Sequence, residues 1–189
     1  MTNIYLIRHA EAERNVRTEI KKLTAQGRKD SEKVANFLYD KKIDVIISSH
    51  YRRCIETLEA FSICQKLKII EDERFCERKR NSSLHLTDEA FKSLMQQLFD
   101  DFNYRPERGE ENFAELQERA IAALEEILAK YDGKNIVIGT HIITMYSIMK
   151  KYDHGHGFEK FWDNLNKMPF AVKMSFDENA YVKIEEIDL

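Results

Sequence analysis

Asn3-Ile4-Tyr5-Leu6-Ile7-Arg8-His9-Ala10-Glu11-Ala12-Glu13-Arg14-Asn15 is the stretch whose reading decides the fold. Ile4 to Ile7 form an apolar run with β-branched and aromatic side chains, which predicts a short buried strand. The run ends abruptly on a guanidinium and an imidazole, Arg8 and His9. Open α/β sheets gather their ligands at the carboxyl ends of their strands, where this pair stands. An isolated Arg-His pair would read as the start of a polar loop, so the remainder of the chain has to decide.

The pattern recurs further along. Asp44 to Ser49 predicts a second buried strand that leads into His50-Tyr51-Arg52-Arg53, and Asn135 to Gly139 predicts another that ends in Thr140-His141. Leu67 to Glu71 is a third strand in chain order. Helices are predicted between them. One starts after Thr24 as N-cap with Val34, Phe37 and Leu38 inward, and one runs over Arg53 to Gln65 with Ile55, Leu58 and Phe61 on one side. Thr87-Asp88-Glu89 opens a helix to about Phe102 by capping logic. Phe113 to Tyr131 repeats Leu116, Ala120, Ala123, Leu124, Ile127 and Leu128 at helical spacing, and Ile142 to Met149 is an apolar helix. Phe170 to Phe176 and Tyr181 to Ile187 alternate around Asp177-Glu178-Asn179 as a β-hairpin. Ala10 to Lys22, Asp72 to Leu86 and Arg105 to Asn112 read as irregular. Strands alternating with helices make the chain α/β, in three layers (α/β/α) around a mainly parallel central sheet.

With 189 residues there is enough chain for one domain with a full core. A formal net charge of -3 excludes a global electrostatic footprint for nucleic acid or anionic membrane. No apolar run approaches a membrane span, and no basic-then-apolar leader opens the sequence. Cys54, Cys64 and Cys76 are odd in number and lack metal-ligand spacing, which fits reduced thiols in a cytoplasmic protein.

In a parallel sheet the ends of the strands that carry Arg8-His9, Arg53 and Thr140-His141 lie on one edge, so these side chains can converge in one crevice. Two arginines and two histidines repel one another unless an anion joins them. A phosphoryl group suits guanidinium forks, and the positive surroundings favour a neutral, nucleophilic imidazole.

The motifs that follow Arg8-His9 resemble those of the histidine phosphatase superfamily, with its phosphoglycerate mutase-like fold. Arg8-His9-Ala10-Glu11 with Asn15 resembles that family's Arg-His-Gly-Glu…Asn signature. In the same order come Leu23-Thr24-x-x-Gly27, Ser48-Ser49-His50-Tyr51-Arg52-Arg53 with Thr57, Glu77 after the third strand, Glu111-Asn112 with Arg119, and Thr140-His141. The resemblance covers nearly the whole chain and implies one domain, residues 1–189, with a lid-like insertion around 72–112. It implies a phosphoric monoester hydrolase of the histidine acid phosphatase type, acting through a phosphohistidine. His9 would be the nucleophile and Glu77 the proton donor. Arg8, Arg53 and His141 would bind the equatorial oxygens, with Asn15 adding a hydrogen bond. Glu111 would orient a pocket residue from behind. No cofactor or metal is implied. Ala10, His50 and Ile142 depart from the family's Gly, Pro and Gly. Ala10 is tolerable where φ is negative, and Ile142 is bulky enough to narrow the pocket.

The substrate would be a phosphorylated small molecule or a phosphoprotein. Mutase-type phosphoryl transfer and a catalytically idle phospho-ligand binder are the alternatives. Glu77 also reads as a surface carboxylate, and Arg78-Lys79-Arg80 as a solvated loop face rather than a polyanion contact. His85 lies in the same segment as a weaker substrate-facing candidate. His154-Gly155-His156 reads as a flexible loop, since no partner completes a metal site. Specificity would come from Asp72 to Leu86, Asn103 to Asn112 and His154 to Trp162, and the C-terminal hairpin offers an edge through which a homodimer could pair.

Overall fold

A computed structural model describes residues 1–14, 18–80, 86–106 and 109–189. Six strands form one sheet in the order β3-β2-β4-β1-β5-β6: β1 (Thr2–Arg8), β2 (Val45–Ser48), β3 (Ile69–Glu71), β4 (Asn135–Thr140), β5 (Phe170–Asp177) and β6 (Ala180–Ile187). The first four run parallel to one another, and β5 and β6 join antiparallel at one edge. The register places Arg8 opposite Thr140 and Ser48 opposite Gly139. The ladder continues one residue further, because His9 N–H donates to the Thr140 carbonyl at 3.1 Å and Ser49 N–H to that of Gly139 at 2.8 Å. His9, Ser49 and His141 are therefore delivered to one edge by backbone pairing alone.

Alternation along the strands divides the core in two. Ile4, Leu6, Ile136, Ile138, Val172 and Met174 face the larger half, covered by α3 (Asp88–Asp100), α4 (Phe113–Lys130), α5 (Ile142–Tyr152) and α6 (Phe158–Asn164). Tyr5, Ile7, Ile46 and Val137 face the smaller half with Val34 and Leu38 of α1 (Ala25–Tyr39) and Leu58 and Phe61 of α2 (Arg52–Gln65). This is the expected three-layer α/β/α arrangement.

Local chemistry sets the helix starts. Thr24 and Thr87 accept the N–H of Gly27 and Ala90, and Asn112 with Glu115 makes a reciprocal capping box on α4. Gly27 is required by close approach: a Cβ there would stand 2.0 Å from the Glu11 carbonyl oxygen. The hairpin turns through Glu178 and Asn179 at φ 47° and 66°, the positive pair of a two-residue turn matched to strand twist.

Three local expectations are corrected. β3 is shorter than Leu67 to Glu71. His154-Gly155-His156 does lie in a turn, but it is anchored, with His156 buried beside Tyr146 and 3.2 Å from Asp153, just before the helix that begins at Phe158. Arg78 is not on a solvated face either, since its guanidinium is buried against Glu110 at 3.1 Å and donates to the Glu111 carbonyl at 2.7 Å. Among the described residues no helix is long and apolar enough to cross a membrane.

Candidate active site

Arg8 is the last residue of β1, and burial leaves it few ways to be satisfied. One terminal nitrogen donates to the carbonyls of Leu165 and Lys167 at 2.6 and 2.8 Å, while the buried Nε has no hydrogen-bond partner among the described residues. Burial pulls its pKa down to about 10, opposed by the Glu77 carboxylate and reinforced by Arg53. A buried N–H with no acceptor costs free energy that an incoming acceptor would recover.

His9 follows at the first loop position, partly buried. Its Nδ1 lies 2.8 Å from the Ala10 carbonyl oxygen, which can only accept, so Nδ1 carries the proton and Nε2 the lone pair. Burial first, then Arg53 and Arg8, hold its pKa well below the usual histidine value. Ala10 itself is buried with its N–H on the Thr57 hydroxyl at 2.9 Å, and it is not among the positive-φ residues. The missing glycine therefore costs no backbone strain.

Arg53 sits in the first turn of α2, buried, with Nη2 3.0 Å from His141 Nδ1 and its guanidinium 4.9 Å over the Tyr51 ring. Arg52, by contrast, points outward to Glu56 at 2.8 Å. His141 is fully buried as N-cap of α5, its ring 5.3 Å from that of His9, and its Nε2 is 2.9 Å from Ser49 Oγ. Its pKa is also held well below the usual value, by burial and then by Arg53, His9 and Arg8. Ile142 is buried in the larger core cluster, and His50 is exposed with Nδ1 3.3 Å from Cys76 Sγ.

Glu77 is held across the start of α5. Its carboxylate accepts the N–H of Ile143 at 3.3 Å, the N–H and hydroxyl of Thr144 at 3.2 and 3.3 Å, and the N–H of Arg78 at 3.0 Å. A helix N-terminus is a natural seat for a carboxylate. The segment that carries it is clamped from behind. Glu111 pairs with Arg119 at 2.6 and 2.9 Å and accepts the Lys79 N–H at 3.0 Å, while Arg119 also donates to the carbonyls of Arg74, Cys76 and Glu77. Thr144 takes the other side of the same strap through a 2.8 Å bond to the Cys76 carbonyl.

Arg8, His9, Arg53, Glu77 and His141 thus meet at one sheet edge, with Glu111 behind them. Asn15 and His85 lie outside the described residues. Sequence reasoning missed Thr144 and Tyr51. The signal for Thr144 was its position in the first turn after Thr140-His141, where an N-terminal hydroxyl can reach a carboxylate seated on the helix. It also missed Lys21, a partly buried cation close enough to disfavour protonation of His9. A cavity of about 360 Å³ opens beyond the strap, lined by Arg78, Arg80, Leu94, Tyr104 and Glu110 among others, and not by His9, Arg53 or His141. No group of three or more His, Cys, Asp or Glu among the described residues could hold a metal ion.

The profile of the histidine phosphatase superfamily (branch 1) matches residues 4–181. Phosphoglycerate mutase-like protein 4 of Arabidopsis thaliana is 27% identical over 150 residues, covering 73% of this chain but only 65% of its own length. Putative phosphoserine phosphatase 2 of Hydrogenobacter thermophilus is 27% identical over 177 residues, covering 86% and 84% of the two chains. The solved phosphoserine phosphatase of Entamoeba histolytica in complex with 3-phosphoglyceric acid superposes with a TM-score of 0.79 over 100% of this chain and 98% of that one, at 18% identity, a likeness of fold.

Proposed function

Because the chain belongs to the histidine phosphatase superfamily (branch 1), we propose that it is a metal-independent phosphatase that hydrolyses phosphomonoesters through a phosphohistidine on His9. The observation that carries this reading is the state of His9: Nδ1 is committed to the Ala10 carbonyl, so a neutral ring offers the Nε2 lone pair beside two buried arginines. Nε2 attacks phosphorus, the P–O ester bond breaks, and Glu77 gives the departing oxygen its proton. Water then attacks the phosphohistidine, Glu77 takes a proton back, the N–P bond breaks and inorganic phosphate leaves. Arg8, whose Nε has no partner among the described residues, together with Arg53 and His141, receives the oxygens whose charge must be stabilised.

The substrate is a phosphorylated small molecule or a phosphoprotein, selected by the segments 72–86, 103–112 and 154–162. Named relatives include both a phosphoglycerate mutase-like protein and a phosphoserine phosphatase, so the test has to separate the two activities. Para-nitrophenyl phosphate and phosphoserine are incubated with the protein in EDTA, and 3-phosphoglycerate is assayed for conversion to the 2-isomer. Phosphate release without isomerisation supports the phosphatase. Isomerisation outpacing release makes it a mutase, and neither activity with retained phosphate binding makes it a binding module.

A further inference from the structure

Both ring nitrogens of His141 are occupied by protein groups. Arg53 Nη2 stands 3.0 Å from Nδ1, and a guanidinium can only donate, so Nδ1 holds the lone pair. A neutral ring then carries its proton on Nε2, where Ser49 Oγ accepts it at 2.9 Å. Cys54 Sγ is 3.3 Å from the same nitrogen, but its own proton is directed to the Thr140 carbonyl at 3.4 Å. Ser49 Oγ also accepts the Tyr51 N–H at 3.3 Å and has Cys76 Sγ at 3.0 Å as an outlet for its hydroxyl proton.

In this pattern an oxyanion bound beside Arg53 would meet a lone pair on His141 and be repelled by it. We propose that Ser49 is a positioning residue that lets His141 exchange tautomers when an oxyanion binds. The Ser49 hydroxyl turns from Cys76 Sγ and donates to Nε2. Inorganic phosphate arriving as its monoanion gives a proton to Nδ1, the Nε2 proton leaves to bulk water, and the new Nδ1–H donates to the bound dianion, so the imidazole is neutral before and after. Ser49 keeps its own proton and changes only where it points. Arg53, released from Nδ1, turns the same N–H to the anion. The inference rests on the phosphatase reading only in taking the pocket to bind a phosphoryl oxyanion.

The test is ¹⁵N NMR of the imidazole nitrogens in the full-length protein, with His141 assigned by comparison with His141→Gln, during titration with inorganic phosphate. Wild type is expected to show His141 protonated on Nε2 at the start and on Nδ1 at saturation. Ser49→Ala is expected to keep one tautomer throughout and to bind phosphate about tenfold more weakly, the scale of one lost hydrogen bond. Ser49→Thr, which keeps a hydroxyl, is expected to restore the exchange. Phosphate binding by wild type with the Nε2 tautomer unchanged overturns the inference and leaves the phosphatase reading standing. Undiminished affinity and exchange in Ser49→Ala also overturn it. Failure of wild type to bind phosphate at all removes both.

Discussion

Replacing Arg119 with Met is expected to loosen the strap that carries Glu77, and the structure sets the size of the effect. The substitution keeps much of the apolar stem and deletes two charge-assisted hydrogen bonds to Glu111, at 2.6 and 2.9 Å, with three more to the carbonyls of Arg74, Cys76 and Glu77. Glu111 is 8% exposed and would retain, among the described residues, the Lys79 N–H as the one partner of its side chain. Breaking a largely buried pair by removing one member costs about 3–5 kcal/mol, because the remaining charge is left uncompensated. For a chain of this length that corresponds to a fall in Tm of roughly 10 °C. Glu111→Gln together with Arg119→Met removes the stranded charge and should recover at least about 1.5 kcal/mol relative to the sum of the single variants. The assay is urea unfolding and calorimetry of the four proteins, with turnover of an alkyl phosphate and of para-nitrophenyl phosphate beside it. Turnover of the alkyl phosphate should suffer more, since its leaving oxygen depends on a well-placed acid. A loss below about 1 kcal/mol in Arg119→Met, or strict additivity across the cycle, would refute the clamp.

The remaining predictions concern the same framework. Gly27→Ala would gain about 1 kcal/mol of helix propensity in an open helix. Here the added Cβ meets the Glu11 carbonyl at 2.0 Å, and a net loss of about 2 kcal/mol is expected by denaturant titration. Thr144→Val deletes the hydroxyl that holds both the Cys76 carbonyl and the Glu77 carboxylate. It should lower kcat on alkyl phosphates about tenfold, with a smaller effect on para-nitrophenyl phosphate and rescue by Thr144→Ser. Because the folded-state pKa of buried His141 is depressed, the unfolded chain binds a proton that the fold refuses below about pH 6.5. Stability should therefore fall on acidification through that range, by up to about 1.4 kcal/mol per pH unit for this imidazole. Tm measured from pH 7 to 5 should show a shallower slope in His141→Gln.

Most of what positions the site was legible locally. Apolar runs ending in Arg8-His9 and Thr140-His141 are backbone signals, and parallel pairing converts them into one edge. Thr24 and Thr87 announce their helices because capping needs only neighbours in sequence. What stayed hidden depends on partners from afar. Arg78 lies in a charge run that reads as solvated, and its burial follows from Glu110, 32 positions later. α6 is a seven-residue helix too short to hold by propensity. It is held by aromatic packing against α3, with the rings of Phe161 and Phe158 5.1 and 6.1 Å from that of Phe99. The committed proton on His9 is likewise a tertiary fact, since it depends on how the loop turns the Ala10 carbonyl back toward the ring.

The central claim is tested most directly by trapping the covalent enzyme. Wild type and His9→Ala are mixed with a ³²P-labelled phosphomonoester in EDTA, quenched within the first turnover, and assayed for protein-bound label and its stability. The account predicts an acid-labile, base-stable phosphoprotein in wild type, mapped to the peptide that contains His9, with neither label nor phosphate release in His9→Ala. Sustained turnover by His9→Ala, or label carried on another residue, would contradict it.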